Sequence, residues 1–318
     1  MSSSQGEGQD GGETHPPSDK VIQGSTAKGV WTIKRAFDWT KDYLTEKGDN
    51  QARLSTEWLL SHACGLERIE VYTQYDKPLN PKERETLRES VRRRAQGEPL
   101  QYIVGIAGFR HLEIKVKSGT LIPRPETEVL VDLALSALPK PIGDTTLNVL
   151  DLCTGTGCVG LALAQERPDV IVQATDISPK AVTLANENAK ASGLSDKFQA
   201  MESDLFPPIS SQFDLIVGNP PYIPAQGMRE LPAEVANFEP ALALDGGEDG
   251  LDLARRILEL APDWLKKSSH LILELDVRNV SQAREFAVQL NTYESLKIAR
   301  DLTGRERFVL ARTKPYSA

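Results

Sequence analysis

Apolar residues recur every three to four positions between Trp31 and about Gly97, and run in short, nearly continuous blocks from Leu147 onward. The first regime predicts helices. In WTIKRAFDWTKDYLTEKG, Ile33, Phe37, Tyr43 and Leu44 fall near one side. In ARLSTEWLLSHACGL, Leu54, Trp58, Leu59 and Ala63 form another stripe that stops at Gly65, a natural helix terminator. NPKERETLRESVRRRAQG opens with Asn80 as N-cap and Pro81 at the first helical position, and ends at Gly97. With no strand signal between them, these segments predict a small all-helical domain over residues 25–98.

The pattern then changes. LQYIVGIAGFRHLEIKV, residues 100–116, places β-branched and aromatic residues around GIAG, which predicts a linking β-hairpin over 99–120. IPRPETEVLVDLALSAL gives a rigid Pro-Arg-Pro turn followed by a helix from about Glu126. Beyond Leu147, the blocks LNVLDL, VIVQATD, DLIVG and HLILEL alternate with helical patterns at 157–166, SPKAVTLANENAKASG and SQAREFAVQL. Apolar strands alternating with helices predict an α/β domain over 121–318, with a mostly parallel sheet covered on both faces.

Composition changes the picture at the edges. Residues 1–24 are rich in Ser, Gly, Gln and acid, with almost nothing apolar, and read as a disordered tail without a secretion or import signal. No run approaches the roughly 18 apolar residues of a membrane span. Three cysteines, an odd number with no CxxC, and four scattered histidines suggest neither a disulfide framework nor a zinc site. A reducing, cytoplasmic location follows as the expectation. The net charge of -8 argues against bulk nucleic acid as the main partner, because phosphate contacts dominate that affinity. The basic run VRRRAQ reads as decoration on the solvent face of a helix.

The strand-turn-helix VLDLCTGTGCVGLALA carries the first chemistry. Gly155 and Gly157 sit where the first strand of the sheet hands over to its helix, so backbone can approach a ligand there. Asp176 ends the next strand, about 20 residues on, where a nucleoside's ribose hydroxyls are held. Its plainer role, helix capping, is already supplied by Ser178 and Pro179. Gly160 completes a GxGxxG, so spacing alone would allow a dinucleotide. The acid before the turn, Asp151 in DLCTGTG, points instead to S-adenosylmethionine, which has no pyrophosphate to cradle. Asp204 in ESDLF ends a further strand, where such an acid or its successor lies beside adenine; a simple turn residue is the other reading.

DLIVGNPPYIP, residues 214–224, ends a buried strand with an amide, two prolines and a phenol. Methyl transfer from a sulfonium requires a nitrogen lone pair aimed along the S–CH3 bond. A delocalised amide or aromatic amine is a poor nucleophile. Two acceptors gripping its N–H bonds shift the nitrogen toward tetrahedral geometry. Asn219 offers its side-chain carbonyl and Pro220 its backbone carbonyl. Pro221 keeps Pro220 extended, and Tyr222 can stack on the planar group. Dipoles fixed at this point favour the transition state over the ground state.

The chain resembles the release-factor glutamine methyltransferases, the HemK/PrmC family. The resemblance covers nearly everything after the tail and rests on GEPLQYIVG, LIPRPETEVLVD, DLCTGTGCVGLALA, TDIS, SDLF, GNPPYIP, FEPALALDGGEDGLD and RDLTGRERFVLAR. It implies a Rossmann-like, mostly parallel seven-stranded sheet behind a helical domain that helps hold a class I peptide release factor. It implies methylation of the glutamine amide in that factor's Gly-Gly-Gln motif. Cofactor binding is implied at Cys153, Thr154, Gly155, Thr156, Gly157, Asp176, Leu205 and Asn219. Substrate binding is implied at Asn219, Pro220, Pro221 and Tyr222, with Asn219, Pro220 and Tyr222 catalytic. Arg124 and Glu126 are expected to support the site from behind, and Glu239 and Pro240 to shape its wall. The chain departs from the family's usual pattern at Cys153 and Asp276, where glycine is common, and at Leu205, where an aromatic is frequent. Two other readings stay open on the residues alone: an amino-group methyltransferase of rRNA or DNA bases, which shares the Asn-Pro-Pro-Tyr grip, and a non-catalytic scaffold that binds cofactor or release factor.

Overall fold

The computed structural model describes residues 29–315 apart from 142, 144 and 209–211. The expected disordered tail at 1–24 lies outside the described residues. The helical segments are α1 (Ile33–Glu46), α2 (Ala52–Cys64), α3 (Arg68–Thr73) and α4 (Pro81–Ala95). Asn80 caps α4 as its sequence indicates: its side chain accepts from the Glu83 amide at 2.9 Å and Glu83 returns the bond to the Asn80 amide at 2.7 Å. Ile33, Phe37, Leu44, Leu59, Leu60, Val71, Leu87 and Val91 pack into one core.

Two expectations about this region need correction. The buried residues of α2 are Ala52, Ser55, Thr56, Glu57, Leu59 and Leu60, whereas Leu54 and Trp58 are only half-buried. Small residues on the inner face let α1 and α2 approach closely, and Trp58 instead lies under the Arg68 guanidinium at 5.1 Å. The basic run at the end of α4 is also more than solvent decoration. Arg93 pairs with Glu98 at 2.5 Å, and Arg94 donates to Asp49 at 2.8 Å and to Glu234, far along the chain, at 2.9 Å.

Residues Leu100–Val104 form a short helix, α5, rather than strand, ending at Gly105 in the left-handed region. The hairpin follows as β1 (Ile106–Phe109) and β2 (Leu112–Lys115), antiparallel. Its alternation begins only at Ile106; in LQYIV, Tyr102 and Ile103 are consecutive buried residues, which suits a helix facing two neighbours.

After α6 (Thr127–Ala137), the chain alternates β3 (Leu147–Leu152), α7 (Cys158–Glu166), β4 (Val170–Asp176), α8 (Pro179–Ala191), β5 (Phe198–Glu202) and β6 (Phe213–Gly218). Short α9 (Ala233–Phe238), α10 (Asp252–Trp264), β7 (Leu265–Glu274), α11 (Val280–Leu290), β8 (Tyr293–Arg300) and β9 (Glu306–Thr313) complete it. The seven-stranded sheet has the order β5-β4-β3-β6-β7-β9-β8. Five strands are parallel, and β9 joins β7 and β8 antiparallel. Apolar cores cover both faces, which is why β3 and β6 read as almost unbroken apolar runs.

Strand order reverses at β3, with β4 on one side and β6 on the other. In open α/β sheets the crevice at such a switch point, beyond the carboxyl ends of the strands, is where ligands bind. Register aligns those ends: Leu152 pairs with both Thr175 and Gly218, and Gly218 pairs with Leu273. One residue further, Cys153, Asp176, Asn219 and Glu274 therefore stand in a row across four adjacent strands.

Candidate active site

At the β3 end the chain turns sharply through Cys153, held at φ +55°. Asp151 is buried, and its Oδ2 accepts from the Thr154 hydroxyl at 2.6 Å and the Gly160 amide at 3.1 Å. Burial pushes its carboxyl up to about 7, opposed by those two donors and aided by the charge of Asp176. Asp176 approaches from β4. Its Oδ2 accepts from the Gly155 amide and its Oδ1 from the Ser178 amide, both at 2.9 Å. Burial raises this carboxyl too, against those backbone donors. Ser178 caps α8, accepting from the Ala181 amide at 3.4 Å, with Pro179 in the first turn.

The glycines divide the work. Gly155 has φ +55° and open space where a Cβ would stand, so its backbone faces the cavity bare. A Cβ at Gly157 would meet Phe198, Ala185 and Leu161 at 3.1–3.2 Å, and one at Gly160 would meet Phe198 at 2.7 Å and Val172 at 2.9 Å. These two permit α7 to press against the sheet. Leu205 is buried at φ +69°, and its carbonyl accepts from the Thr175 hydroxyl. Asp204 pairs with Arg256 at 2.8 Å on the exposed rim.

A cavity of about 510 Å³ lies over these ends. It brings together Cys153, Thr154, Gly155, Thr156, Asp176, Leu205, Asn219 and Pro221. Gly157 is not on its wall. A smaller cavity of about 140 Å³ adjoins it, lined by Tyr222, Ile223, Leu231 and Val235, and both share Asn219, Arg124, Leu121 and Ala243. Asn219 thus stands at the partition. Its Nδ2 donates to the Thr127 hydroxyl at 3.3 Å, and its Oδ1 accepts nothing from the described residues. Pro220 is buried and its side lines neither cavity. The Tyr222 hydroxyl accepts from Arg307 at 3.0 Å, and that guanidinium lies 5.6 Å from the ring centroid. Burial pushes the phenol's pKa up.

Arg124 donates to Glu239 at 2.6 Å; the carboxylate is buried, with Oε2 unpaired, and burial raises its pKa. Pro240 lines the larger cavity. Glu126 instead turns away to Arg305 at 3.4 Å. Asp276 pairs with Arg278 at 2.8 Å. Sequence reasoning passed over Thr127, Glu274 and Arg307. The acid within LILEL was a readable signal for Glu274, and Thr127 and Arg307 lay inside LIPRPETEVLVD and RDLTGRERFVLAR without being singled out.

The residues present fit S-adenosylmethionine. Asp176 keeps an unused lone pair on each oxygen for hydroxyls, the bare face of Gly155 admits close approach, and the carboxyl groups of buried Asp151 and half-buried Asp176 suit a cationic ligand. Fold and site together define an S-adenosylmethionine-dependent methyltransferase. The hMettl16 catalytic domain in complex with MAT2A 3'UTR hairpin 6 has the same fold, with a TM-score of 0.53 at 17% identity over 72% of this chain and 83% of that one. Residues 35–105 match the PrmC N-terminal domain, and residues 127–235 the methyltransferase small domain. The release factor glutamine methyltransferase of Geobacter sulfurreducens is 46% identical over 78% of this chain and 85% of its own length. That of Rhodopirellula baltica is 38% identical over 88% and 95%. The chain belongs to the release factor glutamine methyltransferase family.

Proposed function

We propose that this protein methylates the side-chain amide nitrogen of the glutamine in the Gly-Gly-Gln motif of class I peptide release factors, in the cytoplasm. Among the described residues no helix is long and apolar enough to cross a membrane. The observation that carries the reading is Asn219, which stands between a cofactor-sized cavity and a small side pocket with its carbonyl oxygen unpaired. When bound, S-adenosylmethionine would be held by the Cys153–Gly157 loop and Asp176 and would supply an electrophilic methyl group for the substrate amide nitrogen.

Cys153, Thr154, Gly155, Thr156 and Gly157 form the cofactor loop, Asp176 takes the ribose hydroxyls and Leu205 packs on the adenine. Asn219 Oδ1 accepts one N–H bond of the substrate amide and the Pro220 carbonyl the other, although Pro220 is on the wall of neither cavity, with Pro221 fixing the turn. Because positive charge grows on nitrogen during transfer, these dipoles bind the transition state more tightly than the ground state. Tyr222 forms the wall of the side pocket. The helical domain, about 25–98, is the recognition module for the release factor. Arg94 supports this role, because it ties α4 to Glu234 in α9, beside the side pocket.

Labelled methyl from S-adenosylmethionine, offered to purified release factor and to rRNA in parallel, tests the proposal. We expect label on the glutamine of the Gly-Gly-Gln peptide by mass spectrometry. Label on RNA alone would overturn it.

A further inference from the structure

Resting on that reading, we propose that Asn279 is a positioning residue for methyl transfer, whose side-chain amide grips the Tyr222 carbonyl and fixes the Asn219–Tyr222 turn from behind. Pro220 and Pro221 have no N–H, so the middle of this turn cannot tie itself to a neighbour by backbone donation. Its far end is tied instead. Asn279 Nδ2 donates to the Tyr222 carbonyl at 3.0 Å and reaches the Gly250 and Asp249 carbonyls at 3.3 and 3.4 Å. The Ile223 amide donates to the Leu244 carbonyl and the Gly246 amide to the Ile223 carbonyl, each at 2.9 Å. Residues 244–250 therefore run beside the turn, and Asn279 joins the two.

Glycines make this approach possible. A Cβ at Gly250 would overlap the Tyr222 carbonyl oxygen and stand 2.6 Å from Asn279 Nδ2; one at Gly246 would lie 2.8 Å from Tyr222 Cα. Gly250 also holds φ +81°, where a side chain is strained.

The plainer role for Asn279 is to start a helix, since it occupies the N-cap position of α11. An asparagine there ordinarily turns its side-chain oxygen onto an amide of the first turn. Asn279 does not: it makes no side-chain cap, and its Oδ1 is buried without a partner. Both departures cost stability. The side chain is fully committed to the three carbonyls, at the expense of its own helix. Such a local rule broken at a buried position is what a functional constraint produces.

The constraint is legible in what the turn carries. Tyr222 lines the side pocket, and Asn219 stands between the two cavities. With Asn219 set by the end of β6 and Tyr222 clamped by Asn279, the two proline rings are held at both ends. A loosened Tyr222 carbonyl lets the turn swing and carries Asn219 Oδ1 off the substrate amide. A misplacement of about 1 Å in a group that orients a reacting atom can cost about a hundredfold in rate. Asn279 lines neither cavity and touches no reacting atom.

Asn279→Ser and Asn279→Ala test this in full-length enzyme with release factor as substrate. Serine is as good an N-cap as asparagine and alanine a poor one, so a capping role predicts that serine behaves like wild type. The serine hydroxyl is too short to reach the Tyr222 carbonyl, so the brace predicts that both variants are slow. We expect kcat to fall roughly ten- to a hundred-fold in each, with serine the more stable of the two by thermal melt. The calorimetric Kd for S-adenosylmethionine should stay within about twofold, because the cofactor loop is untouched. Asn279→Ser turning over like wild type, or a cofactor Kd that weakens by the same factor as kcat, would overturn the brace. If neither variant melts cooperatively, the residue is purely structural and the brace is equally overturned; if only one does, that one decides. Wild-type enzyme that leaves release factor unlabelled sinks the proposed function, and the brace with it; labelled release factor with an indifferent Asn279→Ser sinks the brace only.

Discussion

The loop at Cys153–Gly157 and the turn at Asn219–Tyr222 leave the adjacent strands β3 and β6 into one crevice, yet they are held in opposite ways. The loop is tied by hydrogen bonds from the Thr154 hydroxyl to Asp151 at 2.6 Å and from the Gly155 amide to Asp176 at 2.9 Å, and Asp151 is fixed in turn by the Gly160 amide of α7 at 3.1 Å. The turn rests on side chains from distant segments whose hydrogen bonding is incomplete: both oxygens of Glu274, one of Glu239 and Nε of Arg307 are buried and unpaired. The loop is finished before any ligand arrives. The turn keeps spare acceptor capacity, at Asn219 Oδ1 above all, that a substrate amide can use. A site built for differential binding needs that asymmetry: ground-state binding on the satisfied side, transition-state binding on the unsatisfied one.

The comparison breaks most easily at Asn219. Replacing it by alanine should cut turnover about 10²–10³-fold, the usual cost of removing one preorganised dipole from a transition state. Cofactor affinity should fall by no more than a few-fold. Stopped-assay kinetics beside calorimetry would check this, and normal turnover would end the assignment. On the loop side, Gly160→Ala should act on stability rather than chemistry. The new Cβ lies 2.7 Å from Phe198 and 2.9 Å from Val172, an overpacking that costs about 1–3 kcal/mol by thermal or denaturant melt.

Asp151 sharpens the contrast through pH. Its carboxyl is raised to about 7 by burial, so the folded chain without ligand binds a proton that the unfolded chain has already lost at about pH 4. This group's contribution to stability is therefore full below about pH 4, declines as pH rises toward 7, and is flat above. A cationic cofactor favours the ionised form. Affinity for S-adenosylmethionine should rise with pH through about 7, by at most tenfold per unit below it. Asp151→Asn should flatten that calorimetric profile. The smallest effect belongs to Cys153→Gly. It relieves a left-handed residue at φ +55° and should raise stability by about 1 kcal/mol or less, partly offset by the freer unfolded chain. Kinetics at saturating cofactor should not change.

Much of this was legible in the chain. Alternating apolar blocks and helical periods are local consequences of burial on a sheet covered on both faces, so β3, β4, β6 and α8 could be placed to within a residue or two. The capping of α4 by Asn80 and α8 by Ser178 was equally local. What resisted were short segments with two buried neighbours, such as Leu100–Val104, where periodicity has too few residues to speak. Side chains whose partners come from far along the sequence also resisted: Arg94 with Glu234, Arg124 with Glu239, Arg307 with Tyr222.

The sequence by itself determined the class of sheet, the loop that opens it and the Asn-Pro-Pro-Tyr turn, because each is set by residues within one or two turns of chain. Only the tertiary structure decided that Asn219 and Glu274 leave adjacent strands at one level, that Asn219 reaches the Thr127 hydroxyl, and that Gly157 packs a helix while Gly155 faces the crevice. Strand register and helix docking are long-range choices, and they alone bring scattered residues into one row at the ends of four strands.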